Sequence, residues 1–257
     1  MTSVHEPHAV EPLEARPGDR SPADPPPGSR PRVDAKVTAD LVVLTVREAL
    51  LKVLLVERGK EPYLGKRALP GGFLRPGEDL EATAHRELAE ETGLDGTRLP
   101  LQQLHTYSRP GRDPRGRVIT TAFLAIAPNL PAPTASSDAR SASWVTVEDS
   151  LLDELAFDHR TILTDALERA RSLLEHTTLA TAFCAATFTI SDLQKVYEIV
   201  WDIPVDPRNF RRKVMNVSGF VEDTGHKRHS NGRPAILYRP GPAQVLHPAM
   251  LRANSGL

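Results

Sequence analysis

Three glutamates, Glu87, Glu90 and Glu91, occupy positions i, i+3 and i+4 of the stretch "RELAEET". On a helix this spacing puts the three carboxylates on one face, where like charges repel. A divalent cation with a preference for oxygen, Mg²⁺ or Mn²⁺, removes that repulsion and gives the face a purpose. Such an ion could neutralise a bridging diphosphate and activate a water for in-line attack on phosphorus. Arg86 stands beside the acids and can orient one of them through a paired hydrogen bond. No lysine follows these acids at i+4, so an ordinary solvated acidic helix is the weaker reading. Gly71 and Gly72, just upstream, allow the backbone to come close to a ligand.

A second set of residues suits a different partner. In "PRNFRRKVMN" the cations Arg208, Arg211 and Arg212 share one side of an expected helix, with Asn209 and Lys213 adjacent. Phe210, Val214 and Val217 form the opposing, inward stripe. Arginine pairs with guanine and asparagine with adenine in the major groove, while the remaining cations would set affinity and salt dependence. Lys227 and Arg228 lie in a following polar loop, placed to touch backbone phosphate. No platform of stacking aromatics for a single strand is evident, so double-stranded DNA is the expected partner. The bland alternative is a solvated face of snorkelling side chains.

The acidic face needs a helix, and residues 79–92 supply one. Asp79 and Glu81 favour its start, Gly93 suits its end, and Leu80, Ala84 and Leu88 form its apolar stripe. Before it, "VTADLVVLTV" and "LKVLLVER" read as buried strands; after it, "LQQLHTY", "RVITTAFLAIA" and the short "WVTV" continue the sheet. Residues 128–143 read as a loop and Trp144 as core. Helical periodicity runs from Thr161 to Glu175. Further on, Ser191 is the expected N-cap of a helix with Leu193, Val196, Tyr197 and Val200 on its apolar face. The cationic helix follows, with Pro207 at its first turn and Gly219 at its end. Two extended runs around Asn231-Gly232 read as a hairpin. Helix, turn, helix and hairpin together outline a winged helix, with the cationic helix in the reading position.

Composition agrees with two tasks in one chain. The net charge of the 257 residues is −1, but residues 180–257 carry ten Lys/Arg against six Asp/Glu. That asymmetry places the basic partner surface at the C-terminal end. One cysteine, Cys184, permits no internal disulfide, which fits a reducing compartment. No signal peptide and no run of about 20 apolar residues is present, so a cytoplasmic protein without a membrane partner is expected. Eight of the 23 prolines fall within residues 1–34, and this composition reads as a disordered tail.

From Gly72 to Leu94 the chain matches G-x5-E-x7-R-E-U-x-E-E-x-G-U, with U apolar, at Gly72, Glu78, Arg86, Glu87, Leu88, Glu90, Glu91, Gly93 and Leu94. Average residue usage gives odds on the order of 10⁻¹⁰ per start point for that match. The segment resembles the Nudix box. "DPRG" and "LAFDH" resemble the ADP-ribose-directed branch of Nudix proteins, although Arg67 stands where that branch usually carries an aromatic residue. On its residues alone "RPGRDPRGR" is either a solvated loop or a phosphate-contacting edge, and Asp158 either a helix cap or a ligand contact. The resemblance favours ligand roles for Gly71, Gly72, Glu78, Arg112, Asp113, Arg115, Asp158 and His159. The box followed by "FTISDLQKVYEIV…NFRRKV" resembles the Nudix-related transcriptional regulators of NAD metabolism. This implies a mixed α/β fold, a Nudix α/β/α sandwich over 36–176 followed by a winged helix-turn-helix domain over 177–242. Tails at 1–35 and 243–257 flank them. It also implies a homodimeric repressor that binds operator DNA and senses ADP-ribose or a related NAD-derived nucleotide. The alternative is a metal-dependent ADP-ribose pyrophosphatase with an accessory C-terminal domain, with Arg86, Glu87, Glu90 and Glu91 catalytic.

Overall fold

A computed structural model describes residues 33–252, apart from 97–98, 129, 135–138 and 230–233. The proline-rich N-terminal segment and the Asn231-Gly232 turn lie outside the described residues. Strand β1 (Lys36–Arg47) is the axis of a seven-stranded sheet. It pairs along nine residues in parallel with β6 (Val118–Ile126) and folds back as a hairpin onto β2 (Leu50–Arg58). The short β3 (Arg67–Ala68) adds to β2, and β4 (Gly71–Phe73) adds to the first half of β1. Helix α1 (Leu80–Thr92) carries the acidic face, β5 (Gln102–Tyr107) edges β6, and β7 (Ala139–Thr146) pairs with β2. The segment expected as a loop up to residue 143 therefore ends earlier. "ARSAS" has no apolar alternation to mark it as a strand, and its pairing with β2 decides its conformation.

Alternation in β1 sends successive side chains to opposite faces. Leu41 and Val43 join Ala84 and Leu88 of α1 in one core, whereas Val42 and Leu44 join Ile162, Leu163 and Ala166 of α3 (His159–His176) in the other. Helix–sheet–helix layering results, with the short α2 (Asp149–Leu152) leading into α3.

The second core does not stop at α3. It runs on through a 3₁₀ segment (Thr178–Phe183), α4 (Ile190–Trp201) and α5 (Pro207–Asn216) to the ribbon of β8 (Val221–Arg228) and β9 (Ala235–Pro240). Among the described residues, then, the winged helix shares packing with the outer layer of the sandwich. Three hydrogen bonds lock α3 to α4: Tyr197 Oη donates to the Leu174 carbonyl at 3.1 Å, Trp201 Nε1 to the Arg171 carbonyl at 3.2 Å, and Arg171 Nε to the Val200 carbonyl at 3.0 Å.

Three local expectations are corrected. The N-cap of α4 is Thr189, not Ser191; its hydroxyl accepts from Asp192 N while Asp192 accepts from Thr189 N, a reciprocal box that Ser191 cannot form one residue inside the helix. Helix α5 ends at Asn216 with Val217 as its cap; Gly219 adopts positive φ two residues further on. Residues 243–252 are not a loose tail. Leu246 and Met250 are buried, and their amides donate to the His176 and Glu175 carbonyls at 2.8 Å, strapping the end of α3.

Candidate functional site

Backbone punctuation builds the acidic site. Asp79 caps α1 by accepting from Ala82 N at 2.8 Å, and Gly93 closes the helix in the left-handed conformation. Gly72 lies so close to the helix that a Cβ there would sit 2.1 Å from Glu87 Oε1; one on Gly71 would sit 2.4 Å from the Ala39 carbonyl oxygen. At Gly71 the obstacle is backbone, so only glycine admits the approach; at Gly72 a side chain would instead displace the Glu87 carboxylate. Gly71 N donates to Glu91 Oε2 at 3.0 Å.

The charges are relieved from beside the helix rather than along it. Arg86 donates from Nε and Nη2 to Glu78 at 2.6 and 2.9 Å, and from Nη1 to Glu87 at 2.6 Å. Glu78 also accepts from Arg75 N and Thr83 Oγ1. Hydrogen bonding from Arg86 leads the causes that hold the Glu78 carboxyl down at about 2. Glu78 thus orients the arginine, and the arginine orients Glu87. Arg75, which the box pattern does not specify, pairs both guanidinium nitrogens with Glu90 at 2.9 Å. Glu91 is the member left short of positive charge. Burial pushes its carboxyl up to about 8, opposed by the Gly71 amide and reinforced by Glu87.

The same cleft, of about 470 Å³, reaches a buried polar floor. Arg112 grips Asp158 through two hydrogen bonds of 2.8 and 2.6 Å and lies 3.6 Å from Asp40. Asp158 precedes α3 but its side chain caps nothing, because Arg112 holds it. The buried His159 accepts from Leu69 N at Nδ1 (2.9 Å), so its proton sits on Nε2, 3.9 Å from Asp40. Asp113 and Arg115 form a pair with contacts down to 2.6 Å. The structure therefore brings Gly71, Gly72, Glu87, Glu90, Glu91, Arg112, Asp113, Arg115 and His159 to one cleft. Glu78, Arg86 and Asp158 stand behind that wall as orienting partners. Arg67 points elsewhere, pairing with Glu154 at 3.0 Å.

Burial sets opposite pH responses in this floor. It lowers His159 to about 3, so the unfolded chain takes up a proton that the folded chain refuses. Stability linked to neutral His159 is full above about 6.5 and is lost as pH falls toward about 3. It raises Asp40 to about 6, and the linked stability falls as pH rises from 3.8 through 6. His159→Asn keeps an acceptor for Leu69 N but does not titrate. In urea unfolding at pH 7 and pH 4.5, the variant is expected to lose less stability on acidification than the parent. An equal loss in both would contradict the assignment.

The cationic surface is separate. Asp206 caps α5 by accepting from Asn209 N, Pro207 opens it, and Phe210 and Val214 are buried beneath. Arg208, Arg211 and Arg212 are exposed on the outer side, with Asn209 and Lys213 half-buried. Lys227 and Arg228, expected in a loop, are instead exposed at the end of β8, paired with Ile236 and Ala235 of β9, and Arg228 pairs with Asp192 at 2.8 Å. That pair ties the ribbon to α4, a partner for Arg228 not legible from the loop's composition.

Comparison with known proteins joins the two surfaces. The NUDIX domain family matches residues 35–166, and the NrtR DNA-binding winged helix domain family matches residues 181–239. A curated protein from Acinetobacter baylyi (strain ATCC 33305 / BD413 / ADP1), "ADPR responsive transcriptional repressor NtrR", is 34% identical over 205 residues. The match spans 79% of this chain and 81% of that protein. The chain belongs to the NrtR family. The crystal structure of Shewanella oneidensis NrtR complexed with a 27mer DNA is similar to this fold with a TM-score of 0.67 at 34% identity, over 80% of this chain and 94% of that one. The NUDIX domain of Shewanella oneidensis NrtR complexed with ADP ribose gives 0.50 at 34% identity, over 54% and 90%.

Nudix hydrolases generally use divalent metal cations, and the donor set in this NrtR-family chain fits one chemically: three carboxylates on one helix face, one half-buried and short of positive charge. Among the described residues, however, no three acidic, histidine or cysteine groups are gathered into an ion cage. Arg75 and Arg86 hold Glu90 and Glu87, so an ion would exchange with these guanidinium groups. No helix of the described residues is long and apolar enough to cross a membrane.

Proposed function

We propose that this protein is an ADP-ribose-responsive transcriptional repressor of NAD-related genes, acting in the cytoplasm as a homodimer. The observation that carries this reading is one chain holding an intact Nudix cleft and an exposed cationic recognition helix joined by one continuous core. A metabolite-sized ligand binds in the cleft. Arg112 and Arg115 contact its diphosphate, Asp113 positions Arg115 through their paired hydrogen bonds, and Asp158 and His159 sit where that contact meets the start of α3. Arg208, Asn209, Arg211, Arg212 and Lys213 face the major groove or its flanking phosphates, with Lys227 and Arg228 on the adjoining ribbon. The test is a mobility shift on the DNA upstream of this gene and of NAD-related genes, with and without ADP-ribose. A retarded complex that ADP-ribose dissolves supports the repressor; no complex with any of these fragments refutes it.

Glu87, Glu90 and Glu91 would hold Mg²⁺ or Mn²⁺. The ion's contribution when bound is to neutralise a bridging diphosphate. Arg86 positions Glu87 for that role, and Arg75 must release Glu90. The intact box favours a second, compatible activity, hydrolysis of the bound nucleotide. Changing Glu90 and Glu91 together to glutamine is expected to abolish Mn²⁺ binding in calorimetry while leaving the melting temperature within a few degrees of the parent. Unchanged Mn²⁺ affinity would mean that the acidic face holds no metal.

A further inference from the structure

Phe157 is held in an unusual conformation for its size. Its φ is +55°, in the left-handed region that a bulky side chain rarely occupies. Outliers of this kind persist where surrounding structure enforces them, and they cluster at ligand sites. The ring lines the same cleft as the Nudix glutamates. Around it lies a small apolar patch made by Val56, Ala68 and Ala139. Tyr63, itself at φ +66°, meets the ring edge-on with centroids 4.8 Å apart.

Two guanidinium groups lie over this ring. Arg58 is 4.7 Å and Arg115 5.2 Å from its centroid, and Arg115 is also 4.9 Å from Phe73. A guanidinium is planar and delocalised, so a ring that receives one presents a surface that also suits a planar base. The two are anchored differently. Arg58 Nε donates to the Pro62 carbonyl at 2.7 Å, whereas the hydrogen bonds of Arg115 run to Asp113, two residues away in the same loop. Arg115 is exposed whereas Arg58 is half-buried, so Arg115 is the group placed to leave the ring, although doing so breaks its paired hydrogen bonds to Asp113.

We propose that Phe157 is the platform on which the cleft stacks the aromatic base of its nucleotide, with Arg115 giving up its place over the ring and turning to the diphosphate. This rests on the nucleotide reading of the cleft and adds the residue that distinguishes a base-bearing ligand from a bare sugar diphosphate. Phe157 immediately precedes Asp158 and His159 at the start of α3, so occupancy of the ring is felt at the helix that meets the winged domain.

The test compares ADP-ribose with ribose 5-diphosphate, which lacks the adenosine and so the base, by calorimetry in EDTA. Phe157→Gly suits the left-handed backbone and removes the ring; Phe157→Tyr keeps it. Loss of stacking is expected to weaken ADP-ribose binding of the glycine variant by roughly tenfold to a hundredfold. Its affinity for ribose 5-diphosphate stays at the parental value, and the tyrosine variant binds both ligands as the parent does. Equal losses for both ligands, or none for either, would overturn the platform. A parent protein that binds neither ligand would overturn the nucleotide reading itself, and the platform with it. Melting temperatures of the variants establish that each is folded.

Discussion

Operator binding is expected to fall by about a hundredfold or more when Arg211 and Arg212 are both changed to alanine, since each well-formed arginine contact to a base edge contributes about 1–3 kcal/mol. Both side chains are exposed on the outer side of α5, away from the buried Phe210 and Val214. The fold should therefore be unaffected, and the melting temperature should match the parent. Fluorescence anisotropy with labelled operator, repeated across salt concentrations, separates the two roles available to a cation. Removing a side chain that touches phosphate flattens the salt slope by about one unit for all sequences, whereas removing one that reads a base relaxes selectivity at one position. Parental affinity in the double variant would mean that α5 does not read the operator.

The largest expected effect on stability is at Tyr197. It is fully buried, meets Trp201 and Phe210 edge-on at 4.7 and 5.2 Å, and donates to the Leu174 carbonyl. It sits where α3, α4 and α5 converge. Truncation to alanine leaves a cavity that a packed core closes only in part, and costs about 3–5 kcal/mol. Tyr197→Phe loses one hydrogen bond and costs about 1 kcal/mol, or somewhat more because the carbonyl is left unpaired. Urea unfolding of the two variants checks the order. A Tyr197→Ala protein as stable as the parent would mean that the joint between the sandwich and the winged helix is not packed as described.

Elements with strong periodicity are legible from the residues alone. The helix carrying Glu87, Glu90 and Glu91 can be bounded from Asp79 and Gly93 because its caps are local chemistry. The inward stripe of Phe210, Val214 and Val217 can be read because helical spacing separates it from the arginines. Pairings between distant segments are not legible. Arg75 reaches Glu90 across fifteen residues, and Arg112 reaches Asp158 across forty-six. Asp40 has a signal, the single acid within a largely apolar strand, but its partners come from two other parts of the chain. The left-handed Phe157 has none, because nothing in "LAFDH" specifies positive φ. The docking of residues 243–252 on α3 depends on two well-spaced apolar residues, Leu246 and Met250, that do not form a periodic pattern.

The path between the two surfaces is short in physical terms. Arg112 holds Asp158 at the start of α3, and three hydrogen bonds fix the far half of that helix to α4. The homodimer proposed above would have to keep its two recognition helices about one DNA turn, roughly 34–36 Å, apart. A small rotation of α3, started at Asp158 and His159 by ligand, would disturb that spacing. A ligand shifts such an equilibrium only through its different affinities for the free and DNA-bound forms, and the effect is reciprocal. The decisive measurement is a calorimetric titration of ADP-ribose into the protein alone and into the protein saturated with operator, in EDTA and again in Mg²⁺. Coupling through α3 requires that operator weaken ADP-ribose binding by the same factor by which ADP-ribose weakens operator binding. Equal ADP-ribose affinities with and without operator, in both conditions, would contradict it.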